Sequence, residues 1–316
     1  MIIKEMNKTI PPFNAYIGEE FDAKSALLKS ANSRLTNAFL ITLFLGAGFV
    51  DLALKEKLPL GLGITFTGIS LLLYGIKNTR KLNEQWTYTR VVAESIKSEW
   101  YQYIVGGDNY PCDDGDEKDY EEMLKRNIQD KISEYRDNIL DVGGTPIEFS
   151  LELDTNTTSH RNKPFLERLE IYKTKRIEDQ LSWYEKKYLI MEKKEKRHRW
   201  GFAITVAVGL LFGVVKLFDW SNWSFINDSD WFSIAVALGF MLESKNSLFQ
   251  HERLSIAYKK SANDLRESLR KINDSDNDVK KDERVFSEFV SDVENRISNE
   301  HKSWSLTTNL KNLPNF

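Results

Sequence analysis

The chain has 316 residues, a net charge of −3, and 41% hydrophobic and 29% charged residues. This near-neutral charge argues against a nucleic-acid-binding protein, whose domains are usually strongly basic. The single cysteine, Cys112, excludes a disulfide framework and a cysteine-rich zinc site, and it is typical of a reducing compartment.

Two long apolar segments occupy residues 35–54 and 58–76. The first carries one charge, Asp51 near its end, and the second carries none. At about 1.5 Å per residue, each is roughly as long as the hydrocarbon core of a bilayer is thick. Only residues 55–57 join the two segments, so the sequence predicts an antiparallel transmembrane hairpin.

A second pair of apolar segments predicts spans at 200–218 and 225–242. The fourth span is short, because its longest uncharged stretch before Glu243 begins at Trp231 and covers only about 18 Å. A buried core helix is the alternative for that segment; as a span it needs a thinned bilayer, or Lys245 reaching toward the headgroups. Tryptophans flank both segments, as interfacial aromatic residues do, and we predict four spans.

The orientation follows from the lysines and arginines near the span ends. They lie before the first span, after the second, before the third and after the fourth. The loop between the third and fourth spans instead carries Asp219, Asp228 and Asp230. By the positive-inside rule, both termini and the middle of the chain face the cytoplasm.

Amphipathic helical patterns precede and follow each hairpin, so the order of helix, span, span and helix occurs twice, in units at 19–105 and 164–304. The predicted fold class is therefore an all-α integral membrane protein, with two transmembrane helical hairpins whose helices extend into a cytoplasmic helical bundle. Between the units, 106–163 is predicted to form an acidic helix and a linker. Within that linker, 147–153 alternates at period two and predicts one short strand, an extended loop being the alternative.

Characteristic residues lie around both hairpins. Residues 176–180 and 183–184 precede the second hairpin and 286–290 and 297–301 follow it, and Trp86, Arg90, Glu94, Lys97 and Trp100 follow the first hairpin. On these residues the repeated unit resembles the SLATT family, the SMODS- and SLOG-associating two-transmembrane effector domains of bacteria. The resemblance implies a tandem pair of SLATT domains, one around each hairpin. It also assigns a set of residues to the cytoplasmic bundle, some following the first hairpin and the others flanking the second. These residues are Trp86, Arg90, Glu94, Gln180, Trp183, Tyr184, Glu294, Glu300 and Trp304.

No catalytic or metal-binding motif stands out in the sequence. The four histidines are scattered, without an HExxH arrangement. Asp274, Asp276 and Asp278 imitate the start of an EF-hand loop, but Val279 stands where that loop needs glycine. We therefore predict that the protein is not an enzyme and has no catalytic residue, metal site or cofactor.

Two sets of residues within the spans are candidates for function. Small residues at four-residue spacing let helices approach closely, either within one chain or at an oligomer face. These are Gly201, Thr205, Gly209, Gly213, Ala235 and Gly239. Polar residues in the first hairpin are candidates to line a pore, the alternative being hydroxyls that bond to their own helix. These are Asn37, Thr42, Asp51, Thr65, Thr67 and Ser70.

The resemblance implies a bacterial inner-membrane effector of antiphage defence, CBASS-like or related. Such an effector would oligomerise and form a pore, or disrupt the membrane, on receiving a cytoplasmic signal. The implied partners are the lipid bilayer, further copies of the chain, and a cyclic-nucleotide signal or a defence-system protein, without direct contact to nucleic acid. The alternative is a non-conducting membrane-anchored scaffold or sensor that recruits a defence partner through its helical bundle.

Overall fold

The computed structural model describes residues 12–54, 59–112, 117–140, 159–217, 231–274 and 276–308. Within these ranges the regular structure is helical, and the predicted all-α fold is confirmed. The predicted strand at 147–153 lies outside the described residues.

Nine helices of eight or more residues follow one another through the described ranges. They are α1 (Pro12–Leu54), α2 (Leu60–Thr79), α3 (Leu82–Val105), α4 (Glu117–Leu140), α5 (Phe165–Tyr172), α6 (Asp179–Leu217), α7 (Trp231–Phe249), α8 (His251–Asn273) and α9 (Glu283–Thr308). A π-helical turn, Lys173–Glu178, joins α5 to α6, and a 3₁₀ turn, Asp278–Lys280, precedes α9.

Three helical segments of the described chain are long and apolar enough to cross a membrane: Phe21–Leu54, Leu60–Val105 and Phe165–Val215. They contain the first predicted span in full and most of the second and third. The fourth predicted span, 225–242, begins outside the described residues, and α7 carries its remainder. Its crossing of the membrane stays a prediction.

The chain divides into two compact units. The bundle unit comprises Met1–Lys29, Lys81–Lys186 and Ala257–Phe316, and the hairpin unit comprises Ser30–Arg80 and Lys187–Ile256. All four predicted spans fall within the residue ranges of the hairpin unit.

Helix α3 lies at the centre of the bundle unit. The sequence pattern gives it one apolar face, yet 18 of its 24 residues are buried. It is buried on several sides because α4, α5 and α9 all pack against it. Its small and hydroxyl-bearing residues are therefore interior as well; Thr89, for example, is fully buried and donates to the carbonyl of Gln85 (2.7 Å).

In the hairpin unit, α1 and α2 pack as an antiparallel pair. The ring centroids of Phe39 and Tyr74 lie 5.6 Å apart, and those of Phe49 and Phe66 lie 5.2 Å apart. The later residue of α1 meets the earlier residue of α2, as an antiparallel hairpin requires.

Two glycines set the closeness of that packing. A Cβ atom on Gly46 would lie 2.6 Å from Oγ1 of Thr67 and 2.9 Å from its backbone nitrogen. A Cβ atom on Gly63 would lie 2.8 Å from the backbone nitrogen of Val50. Because these neighbours include backbone atoms that cannot swing away, the two helices approach at a distance that only glycine allows.

Both repeats have the same helical connectivity. The arm that precedes each hairpin is continuous with its first span, within α1 and within α6. The second helix of each hairpin ends instead at a residue in the left-handed region, Lys81 (φ 44°) after α2 and Gln250 (φ 47°) after α7. Such a conformation costs a residue with a Cβ atom about 1–2 kcal/mol, so the surrounding packing must maintain both breaks.

Candidate functional site: a buried ion-pair network

The π-helical turn places an arginine inside the bundle unit. Arg176 lies within this turn, and its side chain is only 1% exposed. π-Helical turns are rare and occur frequently at functional sites. A buried guanidinium needs carboxylate partners to offset the loss of its hydration.

The closest partner of Arg176 is Glu294 on α9, which is fully buried. Nε donates to Oε1 (2.9 Å) and Nη2 donates to Oε2 (2.8 Å), so the pair is bidentate. The hydroxyl of Tyr172 donates to the same Oε1 atom (3.0 Å). Arginine and tyrosine together therefore saturate much of the hydrogen-bonding capacity of this carboxylate.

A second buried carboxylate, Glu94 on α3, lies on the other side of Arg176. The distance from Nη1 of Arg176 to Oε2 of Glu94 is 3.6 Å, longer than a hydrogen bond. Glu94 has closer cations on its own helix, with Arg90 Nη2 at 2.8 Å and Lys97 Nζ at 3.4 Å. Both of these cations also pair with Asp22 on α1, Arg90 at 3.1 Å.

We call these six residues the buried ion-pair network: Asp22, Arg90, Glu94, Lys97, Arg176 and Glu294. Three are cations and three are anions, so the network is electrically balanced. It connects α1, α3, the π-helical turn and α9.

The arginines of the network stay ionised. Burial alone would lower the pKa of Arg176, but the carboxylates of Glu294 and Glu94 raise it well above its ordinary value. The pKa of Arg90 is also raised, because Glu94 and Asp22 outweigh the effect of burial. The adjacent phenol of Tyr101 stays neutral, since burial raises its pKa to about 12 against the opposing effect of Arg176. None of these three groups is suited to proton transfer near neutral pH.

Aromatic rings cover the network. The guanidinium of Arg90 lies over the ring of Trp183, 5.0 Å from its centroid, and that of Arg176 lies 5.2 Å from the centroid of Tyr101. Tyr258 on α8 packs edge-on against Trp183, with centroids 5.5 Å apart. These contacts reduce the access of water to the charges and add cation–π attraction.

The network contains three of the bundle residues predicted from the resemblance, Arg90, Glu94 and Glu294. Trp183 covers it, and Trp86, Gln180 and Tyr184 are buried in the same unit. Glu300 and Trp304 fall on α9, but their side chains lie outside the described part of the chain.

Sequence reasoning did not select Asp22, Lys97, Arg176 or Tyr172 as site residues. Arg176 belongs to a charged run at 173–179 in which helical periodicity alone does not show which residue is buried. The turn that buries it is a local departure from the α-helical repeat. Its place within the family-like segment 176–180 was the available signal.

A second buried arginine, Arg161, organises the loop after α3. Its Nη1 donates to the carbonyls of Tyr103 (2.6 Å) and Tyr110 (2.9 Å), and its Nη2 donates to the carbonyl of Pro111 (2.7 Å). Its Nε donates to Glu117 at the start of α4 (3.0 Å). One side chain therefore ties the end of α3 to the loop and to the next helix.

Arg168 on α5 supports the same loop from another side. Its Nη1 donates to the carbonyl of Val105 (2.7 Å) and lies 2.8 Å from Sγ of Cys112, and its Nη2 pairs with Glu283 on α9. Burial raises the pKa of the Cys112 thiol despite Arg161 and Arg168 nearby, which disfavours a thiolate nucleophile.

The candidate pore-lining residues occupy different environments in the first hairpin. Three hydroxyls donate to carbonyls of their own helix: Thr42 to Ala38 (2.9 Å), Thr65 to Gly61 (2.7 Å) and Ser70 to Thr67 (2.8 Å). Thr65 is exposed and Ser70 is fully buried, whereas Asn37, Asp51 and Thr67 are half-buried. Their role in lining a pore stays a prediction.

The small residues of the second hairpin lie partly at the contact between α6 and α7. A Cβ atom on Gly201 would lie 3.4 Å from Leu242, and one on Gly239 would lie 3.6 Å from the ring of Phe202 and 3.9 Å from Thr205. The remaining members of the set are the buried Gly209 and Ala235 and the half-buried Gly213. An oligomer face at these residues stays a prediction.

The described ranges contain no cluster of three or more histidine, cysteine, aspartate or glutamate side chains that could hold a metal ion. The balanced network is an arrangement suited to holding helices together.

Apolar helical hairpins together with a helical bundle that buries charged residues define an all-α membrane protein. Residues 19–169 match the family described as SMODS and SLOG-associating 2TM effector domain 3, and residues 172–304 match SMODS and SLOG-associating 2TM effector domain 1. The chain belongs to the SLATT family, as a tandem pair of its two-transmembrane domains, and the predicted pairing is confirmed. No curated protein and no solved structure matches it. The finer domain limits at 105 and 164 stay predictions.

The boundary between the two SLATT matches divides the residues of the buried ion-pair network. Asp22, Arg90, Glu94 and Lys97 belong to the first SLATT domain, and Arg176 and Glu294 belong to the second. The contact from Arg176 to Glu94 therefore joins the two domains through buried charges.

Proposed function

We propose that this protein is a bacterial inner-membrane effector of antiphage defence that oligomerises and opens a pore, or disrupts the membrane, when its cytoplasmic bundle receives a signal. Its SLATT domains belong to a family described as effectors associated with SMODS and SLOG proteins, which supports the defence role. The observation that carries the proposal further is the buried ion-pair network, because it supplies a contact between domains that a signal can break.

The network divides readily at the domain boundary. Arg176 is bidentate with Glu294 in its own domain, and its contact to Glu94 across the boundary is the longer one, at 3.6 Å. Glu94 in turn keeps Arg90 as a partner within its own domain. Within the network, the two domains can therefore separate without leaving a buried charge uncompensated, which would otherwise cost several kcal/mol. The pair of Arg168 and Glu283 also crosses the boundary, so it must break in the same step.

Apolar faces in the hairpin unit support the membrane part of the proposal. Large apolar side chains are exposed along α2, including Ile64, Leu71 and Leu72, and along α6, including Leu210 and Leu211. In a membrane protein such side chains face lipid or a further copy of the chain. One chain has too few spans to enclose a wide pore, so we propose a homo-oligomer in which residues of the first hairpin face a shared axis.

The signal acts on the bundle in this proposal. It is a cyclic nucleotide, or a protein of the same defence system, and its binding favours the arrangement in which Glu94 and Arg176 are apart. The signal can change the arrangement of the transmembrane spans only if it binds the two arrangements of the bundle with different affinities.

The proposal is tested by entry of a membrane-impermeant dye into cells that express the full chain with its neighbouring genes. Glu94→Gln weakens the contact between the domains and leaves the pair of Arg176 and Glu294 in place. We expect this variant to admit dye without infection, whereas the wild type admits dye only after infection.

Glu185→Gln is the matched control. This substitution removes the same charge as Glu94→Gln, but from an exposed pair with Arg266. Normal membrane integrity in wild-type and E94Q cells during infection, with both proteins present in the membrane, would contradict the proposal. Intact membranes together with a co-purifying defence protein would favour a non-conducting scaffold instead.

A further inference from the structure

A stack of three rings lies where α7 meets α8 in the hairpin unit. Gln250 breaks the helix there with φ 47°, and the rings on its two sides, Phe249 and His251, lie parallel with centroids 5.6 Å apart. The ring of His251 also stacks on His198 of α6, at 5.4 Å and 14°. The break therefore brings two histidines from different helices together.

Both histidines are buried, and a nitrogen of His251 has no hydrogen-bond partner among the described residues. His251 is 6% exposed and His198 is 8% exposed. Nδ1 of His251 is buried and has no hydrogen-bond partner within the described part of the chain. A buried polar atom in this state lowers stability unless a bound molecule pairs with it.

Positive charge surrounds this stack. Lys194 lies about one helical turn before His198 on α6, and Lys245 lies on α7 shortly before the break. Burial lowers the pKa of His251 most, and Lys194, His198, Lys245 and Arg197 lower it further. Among the described residues none of the three cations forms an ion pair, although nearby cations on α6 do, Arg199 with Glu195 for example. Among the groups that act most on His198, the cations Lys245, Arg197 and Lys194 outnumber the carboxylate of Glu243, so the cluster has an excess of positive charge.

The cluster also lies next to the predicted membrane boundary. His198 precedes Trp200, where the third span begins, and Lys245 follows residue 242, where the fourth span ends. Basic side chains between the ends of transmembrane helices are suited to anionic lipid headgroups.

We propose that Lys194, Arg197, Lys245 and His251 bind the phosphate group of an anionic phospholipid at the base of the second hairpin. The three cations supply the charge, and the neutral imidazole tautomer protonated at Nδ1 donates a hydrogen bond to a phosphate oxygen. The inference rests on the proposed insertion of this hairpin in the membrane. A free phosphate has the same chemistry, but the position at the span ends favours the lipid.

The test uses the purified full chain in nanodiscs of phosphatidylcholine, with or without phosphatidylglycerol, and native mass spectrometry of the retained lipid. We expect the wild type to retain phosphatidylglycerol. The double variant Lys194→Gln, Lys245→Gln should bind this lipid about 30-fold more weakly, because it lacks two lysines that attract an anionic surface. Lys194→Arg with Lys245→Arg should restore it. Lys259→Gln with Lys260→Gln is the matched control, since both lysines are exposed on α8.

Equal loss of lipid from the two double glutamine variants would overturn the site, because lipid binding would then follow the overall charge of the protein. Equal retention of lipid by both double variants would overturn the site as well. Neither result would contradict the proposed effector function. Stabilisation of the lipid-free protein in detergent by inorganic phosphate, to the same thermal shift as by phosphatidylglycerol, would overturn the lipid assignment. Failure of the wild type to enter nanodiscs at all would contradict both this inference and the proposed function.

Discussion

Arg176 and Glu294 form a bidentate ion pair inside the bundle, with N–O distances of 2.9 and 2.8 Å and side-chain exposures of 1% and 0%. The pair joins the π-helical turn to the last helix of the chain. It is the most deeply buried charge contact of the network.

Removal of one partner of this pair should destabilise the bundle strongly. Glu294→Gln leaves the charge of Arg176 buried without its main carboxylate, and we expect a loss of about 3–5 kcal/mol in the free energy of unfolding. Denaturant unfolding of the full chain in detergent, followed by tryptophan fluorescence, measures this loss.

The control is Arg266→Gln, which removes a pair with Glu185 whose side chains are 48% and 39% exposed. An exposed pair contributes at most about 1 kcal/mol, so this variant should stay close to the wild type. Equal stability of the two variants would show that the buried network does not hold the bundle together.

The hairpins and the tandem repeat could be predicted from sequence, because runs of about twenty apolar residues and their basic flanks are local signals. The extent of burial of α3 could not, since Gln85 and Thr89 are polar and are buried only because other helices enclose them. That enclosure depends on contacts between distant parts of the chain.

Arg161 should be essential for the loop between α3 and α4. Arg161→Met removes donors from three carbonyls and from Glu117, and we expect a loss of about 2–4 kcal/mol. Arg161→Lys should recover only part of it, because an ammonium group cannot reproduce the planar guanidinium fork. Thermal unfolding compares the two variants, and full recovery with lysine would contradict this role.

The first hairpin should tolerate alanine at one glycine and not at its neighbour. Gly46→Ala places a Cβ atom 2.6 Å from Thr67, so crowding should destabilise the hairpin by about 1–3 kcal/mol. Gly48→Ala meets no atom within 4 Å and should be neutral or slightly stabilising. Melting temperatures in detergent that fall equally for both variants would contradict the observed packing.

The stability of the hairpin unit should fall in mild acid. The pKa of His251 is lowered to about 4 in the folded chain, mainly by burial and then by neighbouring cations, against about 6.5 when unfolded. Below pH 6.5 the unfolded chain takes up the proton and the folded chain does not. The contribution of His251 to the free energy of unfolding is therefore complete above pH 6.5. It is lost as the pH falls toward 4, by at most about 1.4 kcal/mol per pH unit.

His251→Phe keeps a ring in the stack and removes the titrating group, so it should flatten much of this pH dependence. Melting temperatures of both proteins between pH 4 and pH 8 provide the measurement. An unchanged slope in the variant would assign the effect to other groups.

Part of the buried ion-pair network could be anticipated from the sequence and part could not. Arg90, Glu94 and Glu294 belong to segments that resemble the SLATT family, so they could be placed in the bundle. Asp22 could not be selected, because its partners are distant in sequence. Arg176 lies in the family-like segment 176–180, but the charged run around it does not show which residue is buried. In a chain with 44 basic and 47 acidic residues, charge alone does not identify a buried pair.

Counting the subunits of the full chain in nanodiscs tests most directly whether copies of this chain assemble to open the membrane. We expect an oligomer of several copies by native mass spectrometry or particle imaging. A stable monomer would contradict it, because the spans of one chain are too few to enclose a pore.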